Sequence, residues 1–164
     1  MNKWLNKQTV TTSIVALLVG VLLTGGLLFL SAPKMMMMED ESAYGFEETV
    51  ERFEEEVVAA NWKLAGLHDM QEVLAGFGHD VLQVKVYEFC SSKYSAVILA
   101  EDDERIVSPL MPCRVAIYEK SDGKTYITRM NSRLMAMPFG GMINDVMKQA
   151  AGETEVILAK IIKE

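Results

Sequence analysis

The sequence predicts an α+β domain, a mixed sheet of about five strands with helices packed on it, preceded by one transmembrane helix. Three observations carry that expectation. No charged residue occurs from Val10 to Ala32. Leu82, Val84 and Val86 alternate with Gln83, Lys85 and Tyr87, the period of a strand with one face buried. Phe46, Val50, Phe53 and Val57 recur at i, i+4, i+7 and i+11 opposite Glu51, Glu54 and Glu55, the narrow apolar stripe of an amphipathic helix.

The uncharged stretch, as a helix, is about 35 Å long, enough to cross a hydrocarbon core of about 30 Å. Its competitor is a cleaved signal peptide, since Lys3 and Lys7 form a basic start and Ser31-Ala32 are small. The apolar run is longer than a signal core of about 7–15 residues, and Leu30 and Pro33 suit cleavage poorly. The expected division is a cytoplasmic N-terminus over 1–9, an anchor over 10–32, a linker or first strand over 33–41, and a domain over 42–164. Lys3 and Lys7 before the anchor place the N-terminus in the cytoplasm and the domain outside, periplasmic or extracellular. All 23 acidic residues and 13 of the 16 basic ones lie beyond Lys34, so that part has a formal charge of −10. Such a body is repelled by nucleic acid and anionic lipid surfaces.

Beyond the anchor, Met35 to Met38 suit an extended segment or linker. Four thioethers also raise the soft-metal reading, because Met selects Cu(I), although alternate side chains of a strand point apart. Gly45 stands at a helix start with Glu47 and Glu48 in its first turn, and the helix is expected to end near Asn61. Trp62 to Leu67 reads as a strand, Met70 to Ala75 as a brief helix, and Val81 to Phe89 as the strongest strand. A helix capped by Ser91 or Ser92, with Tyr94, Val97 and Ile98 inward, runs to the acidic turn Glu101 to Glu104. That turn lacks the alternating ligands and glycine of a calcium loop. His68 and His79, the two histidines, stand alone without a ligand spacing.

Pro109 and Pro112 make a rigid approach to Cys113 and a strand over Val115 to Tyr118. Asp122-Gly123 turns the chain into an antiparallel return, Thr125 to Met130. Ile143, Val146, Met147 and Ala150, then Ile157, Leu158 and Ile161, continue a helical period past Gly152, as one kinked helix or two.

Phe46-Glu47-Glu48-Thr49-Val50, Tyr87-Glu88-Phe89-Cys90 and Leu110-Met111-Pro112-Cys113-Arg114-Val115, in this order of elements, resemble the DUF302 family from about Met35 to the C-terminus. The resemblance implies a small domain with a mixed sheet, helices against it, and a dimer. It implies no reaction, because the family's role is undefined. This chain has Ser91-Ser92 where the family often has Asn-Pro after the first cysteine.

Cys90 and Cys113, the only cysteines, are the candidate functional or disulfide pair. One stands at the exit of a strand and the other at the entrance of another. On neighbouring antiparallel strands they would meet at one sheet end, near a disulfide's Cα separation of about 4.4–6.8 Å. Three readings stay open. The cysteines are small core residues or a structural disulfide; or they are a redox or sulfur-handling dithiol, with Pro112 beside it, Arg114 favouring a thiolate and Glu88 opposing one; or, with Met111, Met130, Met135 and Met137, they bind copper, another soft metal or a haem. No haem-attachment, zinc, phosphate-loop or catalytic-triad pattern is present, so no cofactor is predicted. The first expectation is a non-catalytic binding or interaction module, homodimeric through its sheet or last helix, with a small ligand or protein partner. The alternatives are a thiol-dependent protein and a copper-handling one.

Overall fold

A computed structural model describes residues 7–163, in two units divided after Met35. Residues 1–6 of the expected cytoplasmic segment, and Lys3 with them, lie outside the described residues. The first unit is essentially helix α1 (Lys7–Met36), which continues through Pro33 past the expected end at Ala32. Its most apolar 18-residue stretch within Thr9–Met36 has a mean hydropathy of 2.5, and none of that stretch is buried. By length and apolarity it fits a membrane anchor or a signal sequence.

The second unit contains strands β1 (Met37–Glu41), β2 (Lys63–Asp69), β3 (Val84–Cys90), β4 (Cys113–Glu119) and β5 (Thr125–Met130). Its helices are α2 (Phe46–Ala59), α3 (Met70–Ala75), α4 (Ser92–Leu99), α5 (Ser132–Ala136) and α6 (Gly141–Leu158). Short 3₁₀ helices span Asp103–Leu110 and Met137–Phe139. The strands form one sheet in the order β1-β5-β4-β3-β2. The five strands are as expected, but every pairing is antiparallel rather than mixed. The reason is topological: α2 joins β1 to β2, which run the same way, but those strands are the two edges and never touch. The remaining neighbours are joined by a hairpin or by out-and-back connections, which make antiparallel pairs.

Register separates the two faces. On one, Tyr87, Val115, Arg129 and Met38 lie across from one another, flanked by Ile117 and Ile127 and by Phe89 and Cys113. Helices α2 and α6 cover this face with Phe46, Val50, Phe53, Val57, Ala150, Ile157 and Leu158. Phe53 lies at its centre, 5.1 Å from the Tyr87 ring and edge-on to Phe89 at 5.5 Å. The other face presents Val86, Ala116 and Thr128 across from one another, all half-buried.

This inverts the polarity expected for β3. Val84 and Val86 lie on the less covered face and Leu82 precedes the strand, half exposed, whereas Tyr87 and Phe89 are buried. The aromatic rings remove more apolar area than two valines, so the phase that buries them wins. On α4, Tyr94 and Ile98 are buried as expected, but Val97 is exposed. Helix α4 ends at Leu99, just before the acidic run as expected, and a 3₁₀ helix starts within that run at Asp103. Val107 of that helix packs with Ile98 and Ile143 in a second small core. Helix α6 is one helix through Gly152, not two. The tail then returns to β1, where Lys163 N–H donates to Glu41 O at 2.9 Å.

Candidate functional site

Antiparallel pairing sends the ends of β3 and β5 and the starts of β1, β2 and β4 to one end of the sheet. The two cysteines meet there. Cys113 lies directly across from Phe89, and Cys90 is the next residue on that strand. Both are free thiols, and both line a narrow crevice with Trp62, Tyr94, Met111 and Pro112. Cys90 Sγ is 2.8 Å from Ser95 Oγ, a contact between the strand end and α4. Burial, helped by neighbouring Cys90, pushes the Cys113 thiol up to about 11. At neutral pH it is therefore a protonated, weakly donating S–H group.

The supporting residues expected around the pair divide between the faces. Arg114 lines the same cleft as Cys113, but its charge is engaged by a carboxylate. Its guanidinium is held by Glu88 on the neighbouring strand, with Nη2 2.7 Å and Nε 3.0 Å from one carboxylate oxygen. Glu88 is in turn 3.7 Å from His68 Nε2. Pro112 follows a cis peptide and lines the crevice. Met111 packs against the second core, whereas Met130 lies across from Met37 at the sheet edge. Met135 lies in α5, Met137 opens the following 3₁₀ helix, and the four-methionine run is shared between the end of α1 and the start of β1. Among the described residues, no group of three or more His, Cys, Asp or Glu is placed to hold a metal ion.

Beside the crevice, and sharing Cys113, Ser132 and Ala151 with it, lies a larger cleft of about 440 Å³. Its floor is the sheet face carrying Met38, Phe89, Cys113 and Arg129. One wall is the turn Asn131-Ser132-Arg133, and the other is Ala151, Gly152, Thr154 and Glu155 of α6. Arg129 is the buried charge of the site, with its side chain 4% exposed. Its Nε and Nη2 donate to the two oxygens of Glu155, the first at 2.8 Å, and its Nη1 donates to Asp40. Burial works against the guanidinium charge, but Glu155 and Asp40 more than offset it. The wall turn is shaped by Asn131, whose side-chain oxygen accepts from Leu134 N–H at 3.1 Å to start α5.

Sequence reading missed this cleft. Two signals were available. Arg129 falls in phase with the buried Thr125 and Ile127 of β5, a charged residue on an inward beat. Gly152 interrupts an otherwise regular apolar helix period without breaking the helix. Further along the same helix surface, Glu153 accepts from Tyr94 Oη at 2.6 Å, Trp62 Nε1 at 3.0 Å and Lys93 Nζ at 3.0 Å. The Tyr94 bond first, with those of Trp62 and Lys93, holds its carboxyl below the usual range.

The arrangement offers a half-open cavity with one fixed guanidinium, that of Arg129, and a buried thiol. No curated protein matches the chain. A crystal structure of an uncharacterized conserved DUF302 protein from Bacillus stearothermophilus is similar in fold. Its TM-score is 0.69 at 20% identity, over 77% of this chain and 98% of that one. The family model "Domain of unknown function DUF302" matches residues 38–164, most of the chain and all of the sheet but Met37, and the chain therefore belongs to the DUF302 family.

Proposed function

We propose that this is a membrane-anchored, extracytoplasmic DUF302 domain that binds a small molecule and is not itself a catalyst. The observation that carries the reading is the 440 Å³ cleft, within the range of about 300–1,000 Å³ usual for small-ligand sites. It combines an apolar floor with a few convergent polar groups. Binding is favoured over thiol catalysis because Cys113 is held protonated and Arg114 is committed to Glu88. The anchor is α1, with the lysines before it on the cytoplasmic side. The assembly is a homodimer through the less covered sheet face. There Val86, Ala116 and Thr128 form a centre flanked by the Glu88–Arg114 and Glu39–Lys120 pairs, an apolar middle with a polar rim.

The test is non-denaturing mass spectrometry of the full chain extracted in mild non-ionic detergent, with sizing of the same sample. A co-purified small molecule on a dimer is the expected outcome; a bare monomer at working concentration would refute the reading. A thiol-dependent redox or sulfur role is the second reading, favoured by the placement of Cys90 and Cys113 on one crevice. Mass spectrometry without reductant should then find a disulfide or persulfide that Cys90→Ser and Cys113→Ser each remove. Two unmodified thiols under oxidising conditions would end that idea.

A further inference from the structure

The cleft's hydrogen-bonding inventory is one-sided. Its carboxylate is committed: both oxygens of Glu155 take bonds from Arg129, whose third bond goes to Asp40. Its donors are not. A guanidinium carries five N–H groups, and those three bonds leave two of Arg129's without a partner among the described residues. Arg133, on the wall of the cleft, has no ion pair or hydrogen bond among the described residues. The other four of the chain's five arginines are all ion-paired. An unpaired arginine is conspicuous in a domain carrying a formal charge of −10, where acidic partners are plentiful. The Cys113 S–H adds a weak donor to the floor.

The shape of the cleft is as informative as its donors. Glycine inside a helix is unfavourable by about 1 kcal/mol relative to alanine, and such a residue commonly answers a close backbone approach. At Gly152 nothing approaches: a Cβ there would meet no protein atom within 4 Å. The space it leaves is the cleft itself, opposite the apolar side chains of Met38 and Phe89.

Building on the binding reading, we propose that the cleft takes a small organic anion with a carboxylate or phosphate head and a short apolar body. The head is held by Arg133 and the unused N–H groups of Arg129. The body lies over Met38 against the bare backbone of Gly152. Planar arginine groups suit both heads because each presents paired acceptor oxygens.

The probes are hexanoate, hexyl phosphate, 1-hexanol and hexylamine, titrated calorimetrically into the full chain in non-ionic detergent. At least one anion should bind at least tenfold more tightly than the alcohol and the amine, and the stronger anion identifies the head. Arg133→Gln should weaken that anion at least tenfold without changing Tm, and Gly152→Leu should abolish binding. Gly152→Ala, which asks only for the room of a methyl group, keeps the test interpretable if the leucine variant unfolds; it should raise Tm and weaken the anion. If hexanol or hexylamine binds as tightly as the anions, the inference fails while the binding cleft stands. If neither anion binds, or if binding is unchanged in Arg133→Gln and Gly152→Ala, the inference fails. The co-purified ligand then decides the binding reading separately.

Discussion

Two regions of the same sheet face, both bordered by helix α6, have been finished differently. Around Phe53, the sheet face is filled: Phe53, Phe89, Ile117, Ile127, Leu158 and Ile161 have no exposed surface, and Trp62, 5.3 Å from the Phe89 ring, closes the cluster. A few residues along, at Arg129, Cys113 and Gly152, the same face is hollow. Both regions contain buried polar groups, but the filled one spends them internally: Trp62 and Tyr94 donate to Glu153, and Tyr87 donates to Glu54. The hollow one keeps donors in reserve. The contrast teaches that the cleft is not a failure of this sequence to pack. It follows from small side chains on the helix, Ala151 and Gly152, set over a charged residue on the strand.

The largest test of the contrast is Phe53→Ala. It should cost about 3–5 kcal/mol, as large aromatic truncations in tight cores do, seen as a lower midpoint in chemical denaturation; under 1 kcal/mol would mean the filled end is not close-packed. Next comes the thiol on the cleft floor. Raising its pKa from 9.0 to about 11 leaves ~100-fold less thiolate at pH 7.5. Cys113 alkylation in a Cys90→Ser background should therefore be slow at neutral pH and climb about tenfold per pH unit until near 11; a plateau by pH 9 would refute the burial argument. Arg129→Met should then cost about 1–3 kcal/mol, since it strands the carboxylates of Asp40 and Glu155. Their own partial exposure, 38% and 41%, keeps the figure below that of a fully buried pair. Restored stability in Arg129→Met combined with Glu155→Gln and Asp40→Asn would show that the loss is electrostatic.

Gly152→Ala works in the opposite direction. It should stabilise the domain by about 0.5–1 kcal/mol, because the helix gains and no atom is displaced. A loss of stability would mean that the hollow is filled in solution. The smallest effect concerns Glu153 at the filled end. Its folded pKa lies below the ordinary value, so its stabilisation is present above the unfolded pKa of about 4.5 and is lost as pH falls through the lower folded value. Glu153→Gln should flatten that acid limb of Tm against pH, and an unchanged limb would assign it to other carboxylates.

Local pattern carried much of this protein. The uncharged run marked α1, the Phe46-to-Val57 stripe placed α2 within two residues of its end, and Asp122-Gly123 located the β4–β5 hairpin. The cysteine motif pointed to the right family, and its two cysteines do lie at one sheet end. These features are legible because they depend on hydrophobic period, turn chemistry and neighbours in the chain. Which face of β3 is buried was not legible in this way. Both phases of that strand are partly apolar, and the choice rests on the rings of Phe53 and Trp62, brought from elsewhere in the chain.

The cleft belongs to the same class. Arg129, Arg133, Cys113 and Gly152 are scattered over forty positions of sequence and share no motif. They line one cleft only when β4, β5, α5 and α6 are assembled, because what shapes it is an imbalance of partners: Arg129 bonded to Asp40 and Glu155, Arg133 left over, and the small Ala151 and Gly152 on the helix beside them. The sequence by itself determined the apolar helix, the α+β class and the family. Tertiary structure alone decided the antiparallel order of the sheet, the buried face and the cleft, since each depends on which distant groups find one another and which are left unmatched.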